Sequence, residues 1–76
     1  MTLEQTIAGV LGISADQITD ALTVDDVQSW DSLAHVALTI GLEAAYKVSF
    51  SPSDIQRMYT SVGTIRSVLR EKGVAV

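Results

Sequence analysis

From Ile13 to Asp31 the chain sets single apolar residues among polar ones and keeps neither a period of two nor one near four, while the segments on both sides are helically periodic. That stretch constrains the fold most. A connection of such length is uncommon in a compact domain unless it is functional or anchored, and Ile13, Ile18, Leu22, Val24, Val27 and Trp30 are placed to pin it down. Helices must therefore pack around a long loop that contributes to their core.

Before the loop, Leu3, Ile7, Val10 and Leu11 recur at helical spacing, with Thr2 as cap and Gly12 as stop. After it, a second helix is expected from Ser32 to about Lys47, with Leu38, Leu42 and Tyr46 turned inward and Val36 and Ile40 beside them. Ser51-Pro52-Ser53-Asp54 opens a short third helix, because proline suits a first turn and serine or aspartate caps it. Ile55, Met58 and Tyr59 would face inward there, before Thr60-Ser61 starts a fourth helix carrying Val62, Ile65, Val68 and Leu69 and ending near Gly73. No strand, repeat or linker is read. The expected fold is all-α: a single domain over residues 1–76, a small four-helix bundle with a long loop between helices 1 and 2 and a short third helix.

A chain of 76 residues is too small for a substrate-enclosing cleft with its own catalytic apparatus. Without cysteine it has neither disulfides nor thiolate metal ligands, so any thiol chemistry must come from an attached group. Met1-Thr2-Leu3-Glu4 lacks a basic leader pattern and no apolar run spans a bilayer, so a soluble, cytoplasmic protein with no membrane association is expected. The net charge is −4, and Glu4, Asp16, Asp20, Asp25, Asp26, Asp31 and Glu43 all precede Lys47, the first base. Lys47, Arg57, Arg66, Arg70 and Lys72 are too scattered to suggest a nucleic-acid stripe; a basic protein partner is the easier reading.

Within Gln28-Ser29-Trp30-Asp31-Ser32-Leu33-Ala34-His35-Val36, an acid-flanked serine sits where the loop becomes a helix, and it reads as an attachment point. Asp31, Ser32 and His35 have the residue types of a catalytic triad. Adjacency on a surface helix supplies no oriented base, oxyanion hole or substrate pocket, so no catalytic residue and no metal site is assigned. In a purely structural reading Asp31 caps the helix, Ser32 fills its first turn and Leu33 enters the core.

The order of helix, acidic loop, Trp30-Asp31-Ser32-Leu33, apolar helix, Phe50-Ser51-Pro52 and Thr60-Ser61-Val62 resembles the acyl carrier proteins of fatty-acid and polyketide synthesis, over roughly residues 3–72. Val10-Leu11-Gly12-Ile13, Leu22-Thr23-Val24-Asp25-Asp26 and Leu42-Glu43-Ala44-Ala45-Tyr46 add to the resemblance by their order around the serine. It implies that Ser32 receives 4'-phosphopantetheine from coenzyme A, through a phosphopantetheinyl transferase that supplies Mg²⁺ and a base. Asp31 then has two candidate jobs, capping the helix and helping the transferase's metal ion. The arm's thiol would carry acyl groups as thioesters to acyl-loading enzymes, a ketosynthase or other acyl-processing enzymes, with the chain itself a monomeric carrier.

The resemblance also implies that the pendant chain folds back between the second and third helices, which makes Ile40, Leu42, Ile55, Met58 and Tyr59 candidate pocket lining; at this spacing they also suit plain core. Many acyl carriers bear several acids on the second helix, whereas here Glu43 stands alone. Recognition is therefore expected to use Leu33, Ala34, His35, Val36 and Ala37 as a largely apolar face together with Glu43, with Asp25, Asp26 and Asp31 keeping negative charge at its entry. That pattern favours polyketide or other specialised biosynthesis. His35 is read as a solvated residue, Trp30 as an anchor of the loop, and Gly41 as a site of close helix packing. Two alternatives stay open: an unmodified helical interaction module, and a peptidyl or aminoacyl carrier, although Ser29-Trp30-Asp31 lacks the glycines usual before the serine of the latter.

Overall fold

The computed structural model describes residues 2–76. Four helices, α1 (Leu3–Leu11), α2 (Ser32–Tyr46), α3 (Pro52–Met58) and α4 (Val62–Glu71), follow in the expected order. Local chemistry sets their ends. The Thr2 hydroxyl accepts from the Gln5 amide at 3.1 Å while the Gln5 side chain accepts from the Thr2 amide at 3.0 Å, which satisfies two donors that a helix start leaves open. Gly12, at φ 71°, closes α1 in the left-handed region that glycine adopts without a Cβ penalty. Ser51 and Asp54 form the same reciprocal cap on α3, with Pro52 in the first turn.

The long loop contains two short 3₁₀ turns, Ala15–Gln17 and Val24–Asp26. Ile18, Val27 and Trp30 are buried; Ile13, Leu22 and Val24 are half-buried against the same core. Its backbone performs a task that no sequence pattern announces. The amides of Val62 and Gly63, two of the open donors at the start of α4, donate to the carbonyls of Leu22 and Asp20, each at 3.0 Å. The Val24 amide donates to the Thr60 carbonyl at 3.0 Å, and Thr23 and Ser61 form one antiparallel bridge. Gly63 permits this approach, since a Cβ there would stand 3.0 Å from the Asp20 carbonyl oxygen. Arg66 adds a second tie, with Nε donating to Asp20 at 2.9 Å and its terminal nitrogen to Glu4 on α1.

The core is continuous: Ile7 from α1, Leu38 and Leu42 from α2, Met58 from α3, and Val62, Ile65, Val68 and Leu69 from α4 are wholly buried. The inward stripe of α2 is the expected one, with Leu38 and Leu42 buried and Tyr46 half-buried against the core, but its flanks differ from the expectation. Val36 and Ile40 were placed beside the inward stripe, and Leu33 in the core on the structural reading. They are 52%, 60% and 81% exposed. The residues that flank Leu38 and Leu42 on the inward face are His35 and Thr39. Apolar residues surround most of this helix, so periodicity finds the inward stripe but not its flanks, and two polar residues enter because the fold satisfies them. Thr39 Oγ1 donates to the Val36 carbonyl at 2.8 Å, one turn back on its own helix.

Gly41 also departs from the expectation of close packing, because a Cβ there would meet nothing within 4 Å. No helix among the described residues is long and apolar enough to cross a membrane.

Candidate functional site

Ser32 is the first helical residue of α2 and lies exposed on the surface. Asp31 precedes it in an extended conformation, and its Oδ1 accepts from the Ala34 amide at 2.8 Å. The Asp31 carbonyl takes the His35 amide, also at 2.8 Å. Among the described residues, no hydrogen bond engages the Ser32 hydroxyl or the amides of Ser32 and Leu33. An accessible hydroxyl thus stands beside two free N–H donors at the positive end of a 15-residue helix. Such an end stabilises a bound anion by about 0.3–1 kcal/mol at an exposed position. A phosphodiester on Ser32 Oγ fits this environment, since its oxygens would find donors and meet no buried carboxylate.

The three triad residue types are near in sequence yet not joined in space. His35 is 3% exposed and points inward. Its Nδ1 accepts from the Trp30 indole N–H at 3.1 Å and its Nε2 lies 2.8 Å from the Ile55 carbonyl. Both nitrogens are committed, so neither serves Ser32 as a base. Its reading as a solvated, partner-facing residue is corrected by the same bonds. Burial of the ring lowers its pKa, opposed in part by the Ile55 carbonyl, which favours the proton. Tyr59 packs on the other side, with ring centroids 4.7 Å apart and its hydroxyl 3.5 Å from the Trp30 carbonyl. This Trp30–His35–Tyr59 cluster joins the loop, α2 and α3. The only sequence signal for it was an indole donor five residues before a ring acceptor.

Other predicted site residues fall into distinct places. Leu33, Val36, Ala37 and Ile40 form an outward apolar strip along α2, with Ala34 half-buried at its edge. Ile40 therefore does not line the interior as a pocket residue. Leu42 and Met58 are wholly inside the core, and Ile55 and Tyr59 are partly buried. Glu43 is not a free docking acid: its Oε2 accepts from the Phe50 amide at 2.9 Å and ties α2 to the approach to α3.

Electrostatics divide the surface. Arg57 pairs with Glu71 at 2.8 Å, Arg66 with Asp20 and Glu4, and Lys72 with Asp54 at 2.9 Å. Lys72 and the Ser51 amide together pull the Asp54 pKa down to about 2. Arg57, Arg66 and Lys72 are thus neutralised internally, while Arg70 donates to the Val76 carbonyl. Asp16, Asp25, Asp26 and Asp31 have no ion-pair partner among the described residues, so negative charge gathers on the loop and at the start of α2. Among the described residues no group of three or more His, Cys, Asp or Glu side chains is arranged to hold a metal ion.

The chain is similar to known proteins along most of its length. The family model described as "Phosphopantetheine attachment site" matches residues 2–69. The solution NMR structure of a holo acyl carrier protein from Geobacter metallireducens superposes with a TM-score of 0.81 at 27% identity, covering 92% of this chain and 79% of that one. No curated protein matches.

Proposed function

Because this chain belongs to the phosphopantetheine-attachment family, we propose that Ser32 is the residue that holds its arm and that the carrier serves polyketide, fatty-acid-like or other specialised biosynthesis. A member of this family is a carrier with a covalently bound 4'-phosphopantetheine and is not itself a catalyst. The observation that supports Ser32 most is its place: an exposed, unengaged hydroxyl at the first position of α2, next to free amides.

In modification, Ser32 Oγ attacks the pyrophosphate phosphorus of coenzyme A that bears the pantetheine. A new P–O bond forms, the bond to the other phosphate breaks, 3',5'-adenosine bisphosphate leaves, and the hydroxyl proton passes to the transferase's base. Asp31 holds the helix start in shape. The bound group supplies a terminal thiol for thioester formation, which this cysteine-free chain lacks. The partner surface is the strip of Leu33, Val36, Ala37 and Ile40, entered past Asp25, Asp26 and Asp31, and it suits enzymes with an apolar contact and a basic rim.

Mass spectrometry after incubation with coenzyme A, Mg²⁺ and a broad-specificity phosphopantetheinyl transferase tests the assignment. A gain of about 340 Da is expected for covalent attachment of the arm, and none in Ser32→Ala. No gain in the folded wild-type chain, or a gain that persists in Ser32→Ala, overturns it.

A further inference from the structure

The large apolar side chains exposed among the described residues, Leu33, Val36 and Ile40, all lie on α2. We infer that this face pairs with α2 of a second copy of the chain, the two helices antiparallel about a two-fold axis at the level of Leu38 and Thr39. The inference departs from the monomer that the family resemblance implies and does not depend on attachment at Ser32.

The strip is complementary to its own reverse. At 3.6 residues per turn, Leu33, Ala37, Ile40 and Ala44 fall within about 60° of one another on the side opposite Leu42, and all four are exposed. Their spacings of four, three and four residues are those of a coiled-coil seam and read the same backwards. Their sizes run large, small, large, small, so reversal sets Leu33 of each copy against Ala44 of the other and Ile40 against Ala37. Val36 then lies at the edge beside Ile40 of the second copy. A parallel pair would instead stack leucine on leucine and alanine on alanine, with crowding at one level and a gap at the next.

Charge selects the same direction. The strip itself carries no ionisable group, the unpaired acids Asp25, Asp26 and Asp31 lie toward its start, and Lys47, which has no ion-pair partner among the described residues, stands at its end. An antiparallel second copy brings each Lys47 to the acidic end of the other helix and sets the two helix dipoles head to tail. Each chain has a net charge of −4, which opposes association. The two acidic ends are, however, held apart by the length of α2, about 22 Å at 1.5 Å per residue, well beyond the Debye length of about 8 Å at physiological salt.

Gly41 finds its use in the same pair. Glycine weakens a helix interior relative to alanine, and nothing within the chain explains its presence, since a Cβ there would meet no atom within 4 Å. In the pair it lies beside Ala37 of the second copy, and two residues this small let the helix axes approach to about 8 Å, the near end of the packing range. One helix pair of two heptads falls short of the roughly 1,200 Å² of a standard interface, so the association is weak and transient. It covers Leu33 beside Ser32, and a partner enzyme that docks on the strip displaces it.

Sedimentation equilibrium of the unmodified chain from about 10 µM to about 1 mM tests the pairing; without cysteine or arm it has no thiol whose oxidation could mimic association. A monomer–dimer equilibrium is expected, with intermolecular nuclear Overhauser contacts from the Leu33 methyls to the Ala44 methyl in a mixed labelled and unlabelled sample. Ala44→Leu should weaken association about tenfold by overpacking, and the double variant Leu33→Ala, Ala44→Leu should restore it. Both positions are exposed, so helical circular dichroism should not change. Lys47→Glu should weaken the pair more than Arg70→Glu, which makes the same change of net charge on α4. A monomer throughout the range, contacts at another face, an Ala44→Leu chain that associates as well as wild type, or equal effects of the two charge reversals overturns the inference.

Discussion

The indole N–H of Trp30 donates to Nδ1 of His35 across 3.1 Å, and this one bond fixes the protonation state of a buried ring. With Nδ1 accepting, Nε2 carries the hydrogen and donates to the Ile55 carbonyl 2.8 Å away. The imidazole is held neutral as a bridge between the loop, α2 and α3. A second proton would sit on Nδ1 and displace the indole.

Acid should therefore loosen the fold by way of His35. Burial lowers its folded pKa below the ordinary 6.5, so below that pH the unfolded chain binds a proton that the folded chain does not. Stability rises with pH in that window: it is full above about pH 6.5 and is lost as pH falls toward the lowered folded value. Urea unfolding at pH 7.5 and 5.5 should show a loss in the wild type that shrinks in His35→Leu. That variant should itself be less stable at pH 7.5 by about 1–3 kcal/mol, because Trp30 and Ile55 lose their partner.

Two helical glycines should respond oppositely to alanine. At Gly41 a Cβ meets open space, so Gly41→Ala should stabilise the protein by up to about 1 kcal/mol through helix propensity. At Gly63 the added carbon stands 3.0 Å from the Asp20 carbonyl that caps α4, so Gly63→Ala should lose stability as the cap shifts. Thermal midpoints of the two variants, read side by side, check both directions.

Asp31 separates capping from assistance to modification. Asp31→Ala removes the acceptor of the Ala34 amide and should cost about 0.5–2 kcal/mol of stability. Asp31→Asn retains an oxygen for that bond and should remain within a few tenths of wild type. If the carboxylate also serves the transferase's metal ion, the asparagine variant is modified more slowly despite its intact fold; a wild-type rate assigns Asp31 to the cap alone.

The outward strip of α2 should matter to partners and not to folding. Leu33→Ser should alter stability by no more than about 0.5 kcal/mol, as expected for an exposed position. Its kcat/KM for transferase modification should fall several-fold. Apolar contact also predicts a shallow dependence of that kcat/KM on salt, with the remaining slope removed by replacing Asp25 and Asp26 with asparagine.

The sequence by itself determined where each helix begins and ends and where the serine stands. Thr2, Asp31, Ser51 and Ser61 cap their helices through atoms only three residues away, and Gly12 ends α1 by its own backbone freedom. Such signals are complete within one turn, so they survive reading as a string. Helical spacing also placed Leu38 and Leu42 inward, but only the tertiary structure decided which residues flank them, since Leu33, Val36 and Ile40 spread apolar surface around most of the rest of α2. His35 enters because Trp30 and the Ile55 carbonyl, 20 residues away, satisfy both of its nitrogens. The loop likewise finds its purpose at Val62 and Gly63, about 40 residues on, where it answers the open amides of another helix. A buried polar group is tolerated only when its partners arrive, and those partners are brought together by packing, not by neighbouring sequence.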